Sequence, residues 1–308
     1  MKSFNEIYEE ICKGDTTTIE EAHKKYVKTS KRTSLIIVCL VLLFILLPIL
    51  SILNEQIYSL TLFLGIILIL ILFIILIATN KNNTYKKIYK ENIILPLIKN
   101  YDSNLNFDSN RSISRITYNM AEFEGYDNFY SNDYIYGNLD GIIPIELGDV
   151  YTEDVSTDSD GNTTYSTVFR GLFSSIQLPQ NLESTIKIHS DKGKLGRLFS
   201  GKDRVEMDSQ EFEKHFDVFS NNKILAMRIL TSDIMNYMIS FKEENKVRFE
   251  ITIKNSFIYV RIHCDDMFEP TTKKSAFDFD TLHKYYRFLN FICEINKKIY
   301  TTISSKDL

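Results

Sequence analysis

The sequence predicts an α+β cytoplasmic domain carried on a transmembrane α-helical hairpin. Residues 34–53 and 58–78 contain no charged side chain and consist mainly of Leu, Ile, Val and Phe. From about residue 126 apolar and polar residues alternate with the period of two that is typical of strands, and helical spacing returns later in the chain. Strands grouped first and helices grouped later favour the α+β class.

The two apolar runs have the length of membrane spans. About 20 helical residues cover roughly 30 Å, which is the thickness of the hydrocarbon core of a bilayer. A secretory signal is disfavoured for the first run, because residues 1–33 are polar and a signal has an apolar core of only about 7–15 residues. The sequence therefore predicts two spans, at 34–53 and 58–78.

Basic residues flank the predicted hairpin on both sides, whereas the connecting residues 54–57 contain none. Lys and Arg are retained on the cytoplasmic side of a membrane. The prediction is a multi-pass protein of the cell membrane with both termini in the cytoplasm. The flanking residues are Lys24, Lys25, Lys28, Lys31, Arg32, Lys81, Lys86, Lys87 and Lys90.

The whole chain divides into four predicted parts. N-terminal cytoplasmic helices occupy 1–33, and capping boxes at Ser3 and Thr18 mark their starts. The hairpin occupies 34–78. A juxtamembrane helical stalk and linker follows at 79–125, where Pro96 is expected to bend or end the helix. The α+β domain occupies 126–308.

Turn signals separate the predicted elements of the α+β domain. Asp140-Gly141 predicts a hairpin turn, Asp158-Ser-Asp-Gly-Asn162 predicts a second turn, and Lys254-Asn255-Ser256 predicts a third. Another helix is expected to begin at an N-cap, Thr231. The predicted strands are 133–139, 142–155, 163–178, 184–189, 204–208, 246–253 and 257–263, and the predicted helices are 209–214, 222–229, one from 231, and 279–299.

Composition restricts the partners. The chain has a net charge of −4 and no basic block outside the membrane flanks, which argues against nucleic acid. The expected partners are the lipid bilayer and either a partner protein or a second copy of the chain. The four cysteines are widely spaced and predict neither a zinc site nor a disulfide framework.

Four segments resemble a bacterial family known as domain of unknown function 3137. They are Val168-Phe-Arg-Gly-Leu-Phe173, Met207-Asp-Ser-Gln-Glu-Phe-Glu-Lys-His-Phe-Asp-Val-Phe-Ser220, Ala226-Met-Arg-Ile-Leu-Thr231 and Met267-Phe-Glu-Pro270. The resemblance spans roughly residues 85–300. It implies two transmembrane helices with a cytoplasmic α+β region, and it implies no catalytic residue.

Asp158, Asp160 and Asn162 have the spacing of the first ligands of a calcium loop. The register then places Thr163 where such a loop needs Gly, and Phe169 where it needs a bidentate Glu. A solvated hairpin turn is therefore the favoured interpretation.

Other candidate sites are weaker. His263 and Cys264 are neighbours in a strand, so their side chains point to opposite faces. His215 is expected to be a structural histidine. The loop at 192–196 lacks the Lys-Ser/Thr ending of a phosphate loop. The sequence predicts no catalytic residue, no metal site and no cofactor.

Arg170 is the sharpest candidate. Alternation places it on the face of Leu172 and Ile176, so its guanidinium is expected to be buried and paired. The expected partner is a carboxylate, with Glu269 and Glu211 as the candidates, and a bound anion is the alternative.

These observations predict a membrane-anchored cytoplasmic module that binds or scaffolds an unidentified partner. The alternatives are a membrane-proximal enzyme with an unrecognised site and an accessory subunit of a membrane transport complex.

Overall fold

Nine strands form one antiparallel sheet in the computed structural model. The structure describes residues 2–53, 71, 84–190 and 203–305. Between 40 and 53 only the side chain of Leu42 is described. The order across the sheet is β1-β2-β3-β4-β9-β8-β5-β7-β6. The strands are β1 Leu105–Asp108, β2 Asn128–Leu139, β3 Ile143–Thr157, β4 Thr163–Gln177, β5 Thr185–Ser190, β6 Arg204–Val205, β7 Phe216–Ser220, β8 Phe249–Lys254 and β9 Phe257–His263.

Tight turns that the sequence predicts connect the hairpins. Between β2 and β3, Asp140 and Gly141 have φ angles of 52° and 76°, the left-handed values that a two-residue hairpin turn requires. The N–H of Gly141 donates to Asn138 O at 3.0 Å. Between β8 and β9, Asn255 has a φ of 54°. These turns set the register of each hairpin.

The helices are named in chain order. They are α1 Phe4–Cys12, α2 Thr16–Leu53, α3 Leu95–Tyr101, α4 Arg115–Met120, α5 Gln210–His215, α6 Lys223–Ile229, α7 Ser232–Asn245 and α8 Phe279–Ser305, with a π-helix at Lys90–Ile94.

One face of the sheet carries an apolar core beneath α7 and α8. Ile188, Ile251 and Val260 lie side by side in neighbouring strands and are fully buried. Phe249 of β8 packs against Phe291 of α8, with ring centroids 4.9 Å apart. Burial of each such side chain stabilises the fold by about 1.5–3 kcal/mol. This face therefore has no open surface around these residues.

The opposite face is covered in part by an aromatic cluster. Tyr118 of α4 packs on Phe169 and Phe173 of β4 and is almost completely buried. Helix α4 begins at Ser114, whose hydroxyl accepts from the N–H of Thr117 at 3.0 Å. The cap therefore fixes the segment that brings Tyr118 onto the sheet.

The described chain divides into two compact units. The first consists of Met1–Phe4, Leu97–Phe268 and Leu282–Leu308 and contains the sheet, and the second consists of Asn5–Pro96 and Glu269–Thr281. In the second unit Asp15 caps α2, because its carboxylate accepts from the N–H of Thr18 at 3.1 Å. The N-cap that the sequence placed at Thr18 is therefore three residues earlier, at Asp15.

The predicted transmembrane hairpin is corrected by the structure. Among the described residues, no helix is both long enough and apolar enough to cross a membrane. Such a helix needs about 20 consecutive apolar residues.

This correction extends to every prediction that depended on the hairpin. The predicted fold class was an α+β domain on transmembrane helices. The structure has a nine-stranded antiparallel sheet plus helices instead. The correction applies equally to the multi-pass cell-membrane location with cytoplasmic termini. The second predicted span, 58–78, lies outside the described residues except for residue 71.

Pro96 does not end the helix that precedes it. The chain is helical from 84 to 101, and the π-helix Lys90–Ile94 ends two residues before Pro96. Proline removes one N–H and clashes with the carbonyl four residues earlier. A π-helical turn changes the local hydrogen-bond spacing and so lets the helix continue past the proline.

Candidate functional site

Arg170 lies in β4 and forms a bidentate ion pair with Asp266. Its Nε donates to Asp266 Oδ1 at 2.9 Å, and its Nη2 donates to Oδ2 at 2.7 Å. Both side chains are about half exposed, at 47% and 51%. The prediction that Arg170 is buried is therefore wrong, and its partner is Asp266 instead of Glu269 or Glu211. On this side of β4 the side chains become buried only from Leu172 onward.

Arg170 belongs to a ladder of side chains that crosses three strands. Tyr130 of β2 lies opposite Tyr151 of β3, which lies opposite Arg170. The two tyrosine rings are stacked with centroids 5.9 Å apart, and the guanidinium carbon lies 5.8 Å from the Tyr151 ring. Tyr165 is on the same side of β4 and is exposed, as is Tyr130. We call Tyr130, Tyr151, Tyr165 and Arg170 the tyrosine ladder.

Strand β4 has a free edge beside this ladder. Residues 163–170 pair with β3, whereas pairing with β9 begins at Gly171 opposite His263, and the N–H of Cys264 donates to Arg170 O at 3.1 Å. Within the described chain, residues 163–169 therefore have a strand on one side only. We call residues 163–169 the free edge.

Gly171 marks the point at which β4 and β9 converge. Its φ is +149°, and a Cβ atom there would lie 1.9 Å from Ile262 O. Only glycine accommodates so close an approach of the two backbones. Gly171 therefore marks the position in β4 at which pairing with β9 starts, just past the end of the free edge.

The turn that closes the β3–β4 hairpin is a self-contained Asx turn. The Asp158 carboxylate accepts from the N–H of Asp160 at 3.0 Å and from the N–H of Asn162 at 2.9 Å. The hydrogen bonds from Asn162 hold the pKa of Asp158 below its ordinary value. These contacts match the solvated turn that the sequence favoured over a calcium loop.

Glu269, in the second unit, binds two lysines that precede or begin the π-helix. Its Oε1 accepts from Lys90 Nζ at 2.6 Å, and its Oε2 lies 2.9 Å from Lys86 Nζ. Lys90 is buried, so an ionised partner is needed to offset the loss of hydration. Glu269 is thus part of an ion pair, with partners that the sequence did not identify.

Glu211 lies on α5, where it contacts His215. His215 Nε2 is 3.4 Å from Glu211 Oε1 and 3.4 Å from Glu243 Oε1 of α7. Lys214 Nζ donates to the other Glu211 oxygen at 2.6 Å. Glu211, His215 and Glu243 are the residues in the described chain that converge closely enough to hold a metal ion.

Arg261 of β9 is the buried cation that the sequence reading missed. Its side chain is 1% exposed, and its Nε donates to Glu250 Oε2 of β8 at 2.7 Å. It also pairs with Glu124 and donates to Tyr118 Oη at 3.3 Å. The ion pair ties the segment that follows α4 to the sheet. The turn between β8 and β9 sets the register that places Glu250 opposite Arg261, so this pair could have been predicted from the sequence.

Two histidines flank Glu250. His189 Nδ1 lies 3.6 Å from Glu250 Oε2, and His263 Nε2 lies 3.8 Å from Glu250 Oε1. Burial acts to raise the pKa of Glu250, but the two imidazoles and the Arg261 guanidinium outweigh it and hold that pKa well below 4.5. Glu250 is therefore a fixed anion at neutral pH.

The thiol next to His263 is not a nucleophile at neutral pH. Burial raises the pKa of Cys264 to about 12, so the thiolate needed for nucleophilic attack is scarce. A cleft of about 270 Å³ includes Glu122 and Lys254 in its lining. These two residues form an ion pair with each other, which satisfies the charges in that cleft.

Residues 167–300 match the family described as "Protein of unknown function (DUF3137)". The matched residues include Arg170, Glu211 and Arg261, and the match supports the resemblance to this family over that part of the chain. The two-span part of the resemblance is not supported.

One solved structure resembles the fold distantly. It is the crystal structure of the mycobacterial trehalose monomycolate transport factor A, TtfA, with a TM-score of 0.34 and 6% sequence identity over 69% of this chain and 94% of that chain. No curated protein matched the sequence. The description of the DUF3137 family names no activity, so functional inference rests on the geometry.

Proposed function

We propose that this chain is a binding module that receives an extended segment of a partner protein along the free edge of β4. The observation that carries the proposal is the overhang of β4: residues 163–169 pair with β3 but extend past the first residue that pairs with β9. The unpaired edge of a strand presents N–H and C=O groups that an added strand can satisfy.

The side chains beside the edge have the composition of a recognition surface. Tyr and Arg are enriched in the residues that contribute most to protein–protein affinity, because they combine large apolar area with polar groups. Tyr130 and Tyr165 are 54% and 62% exposed. Arg170 is held by Asp266, so its guanidinium is fixed in place before a partner arrives. Ordered side chains lose little entropy on binding.

The backbone of the edge is also ordered before binding. The Asp158 turn closes the hairpin through its own side-chain hydrogen bonds. Tyr151 adds a hydrogen bond to Glu153 within β3, and its Oη lies 3.3 Å from Thr167 Oγ1 of β4. A partner strand would therefore add to a formed template.

The test is selection of peptides from a library of random extended sequences on the full-length protein. Selected peptides should slow amide hydrogen exchange at 163–169. Thr167→Pro should abolish binding, because the register of β3 and β4 leaves the N–H of Thr167 on the free edge, where proline blocks strand addition without removing a hydrogen bond to β3. Tyr165→Ala should weaken binding at least tenfold.

Ile224→Ala is the matched control, since Ile224 is 72% exposed on α6 outside the ladder. It should leave affinity unchanged. Peptides that protect other strands, or that bind Thr167→Pro as tightly as the wild type, would contradict the proposal.

An enzyme is the alternative, and the observation that favours it is the placement of His189 and His263 on either side of Glu250. A histidine beside an ionised carboxylate can act as a general base. The check is a panel of chromogenic ester, phosphate and glycoside substrates. Turnover by the wild type that disappears in His263→Gln would favour catalysis over binding.

A further inference from the structure

Glu211, His215 and Glu243 bring one nitrogen and two oxygen atoms together between two helices. Glu211 and His215 are four residues apart on α5, a spacing that places both side chains on one face. Glu243 reaches them from the C-terminal part of α7. The three atoms, His215 Nε2, Glu211 Oε1 and a Glu243 oxygen, all lie within 4.8 Å of one another.

The separations match those of ligands around a tetrahedral ion. Zn²⁺ lies about 2.0–2.2 Å from nitrogen and oxygen ligands, so adjacent ligand atoms in a tetrahedron are about 3.3–3.6 Å apart. Nε2 of His215 is 3.4 Å from the nearest oxygen of each glutamate. Two of the three edges therefore have the required length without movement of the backbone.

We propose that Glu211, His215 and Glu243 form a binding site for a divalent transition-metal ion, with Zn²⁺ as the best fit. One imidazole and two carboxylates are a ligand set that zinc accepts. Glu211 and Glu243 are 53% and 58% exposed, so the fourth position is open to water or to a group from a ligand. The ion would join α5 to α7.

A neighbouring side chain already orients one of the proposed ligands. Lys214 occupies Glu211 Oε2 and leaves Oε1 facing His215. An interaction of this kind with the second oxygen orients a metal ligand.

The helices that carry the ligands are anchored. Ser209 caps α5 by accepting from the N–H of Phe212, whose side chain is fully buried. Lys242 Nζ donates to His215 O at 2.6 Å and ties the end of α5 to α7. Its positive charge, like that of Lys214 beside Glu211, opposes binding of a cation and should weaken the affinity. The site is separate from the free edge of β4, so each proposal can fail without the other.

The test begins with full-length protein that has been treated with a chelator and desalted. Titration with CoCl₂ should produce the intense visible absorption of tetrahedral Co²⁺ at one equivalent, and ZnCl₂ should displace it. His215→Gln and Glu243→Gln should each weaken Co²⁺ binding at least tenfold. Glu244→Gln, which makes the same charge change one residue later, should bind as the wild type does.

Melting temperatures measured with chelator present separate loss of binding from loss of folding. Glu243 is exposed, so Glu243→Gln should melt like the wild type. If His215→Gln unfolds, metal binding by Glu243→Gln decides the question. Zn²⁺ should raise the melting temperature of the wild type and of Glu244→Gln but not of Glu243→Gln. Absence of tetrahedral absorption, or equal binding by Glu243→Gln and Glu244→Gln, would overturn the proposal.

Discussion

The guanidinium carbon of Arg261 lies 4.0 Å from the centre of the Phe123 ring. The Phe169 ring approaches the same group at 5.1 Å. Aromatic faces attract cations, and more strongly where water is excluded. Together with Glu250 and Glu124, these rings allow a charged group to be almost fully buried.

Removal of this cation should destabilise the fold. Arg261→Met leaves the buried Glu250 carboxylate without its closest cation, and breaking a buried pair costs about 3–5 kcal/mol. The double variant Arg261→Met with Glu250→Gln should recover part of that loss, because the orphaned charge is gone. Urea unfolding followed by circular dichroism gives the values. Equal stabilities for the single and double variants would contradict this account.

Arg170→Met is the contrasting variant, since it removes an exposed pair. Exposed ion pairs contribute about 0–1 kcal/mol. The free energy of unfolding should therefore change by no more than about 1 kcal/mol in the same urea experiment. A loss comparable to that of Arg261→Met would mean that Asp266 and Arg170 are shielded from solvent.

Glu250 should make the protein sensitive to acid. Its pKa in the folded state lies below the ordinary 4.5, so its contribution to stability is present above that value and is lost as pH falls from 4.5 toward the folded pKa. The free energy of unfolding of the wild type should fall over this range, and that of Glu250→Gln should fall less steeply. Parallel curves would show that other carboxylates dominate.

Gly171→Ala should be poorly tolerated. The new Cβ would clash with Ile262 O of β9, and a non-glycine residue at this φ carries strain of order 1–3 kcal/mol before the clash is counted. Gly125→Ala is the control, because no atom lies within 4 Å of its added Cβ. Thermal melts should separate the two variants clearly, and similar melting temperatures would refute the close approach of β4 and β9.

Cysteine labelling tests the buried thiols. Burial raises the pKa of both Cys264 and Cys293 to about 12, so neither should react with iodoacetamide at pH 8 in the folded protein. Cys39 is exposed and should react quickly. Mass spectrometry of tryptic peptides identifies the modified residues. Rapid modification of Cys264 would show that its strand end opens to solvent.

Local patterns in the sequence predicted the hairpins well. The Asp140-Gly141 turn and the turn near Asn255 were both found where predicted, because positive φ at these positions is a local requirement. Strands β1 and β7 were missed. Strand β7 begins at Phe216, directly after the helix that ends at His215, so no turn residue separates the two elements.

Pairing between distant strands could not be predicted in this way. β5 pairs with β8 and β4 pairs with β9, and the register of such pairs depends on the whole sheet. The error for Arg170 has the same origin: alternation gave its face correctly, but only the position of β9 determines how far that face is covered. The domain boundaries remain a prediction.

The candidate metal ligands show a different limit. Glu211 stands four residues before His215, a spacing that is visible in the sequence, but His215 was predicted to be a structural histidine. Glu243 arrives from a helix that begins after two intervening elements. Only packing of α7 beside α5 supplies the third atom.

The free edge of β4 also has a consequence for the handling of the protein in solution. A strand that can accept a partner segment can accept the same strand from another copy, and pairs of this kind are the first step toward ribbons and precipitates. The register shift at Thr152 and Glu153, opposite Val168, bends the hairpin and shortens the straight stretch that two copies could share. The protein should therefore remain monodisperse when dilute and form dimers reversibly as it is concentrated.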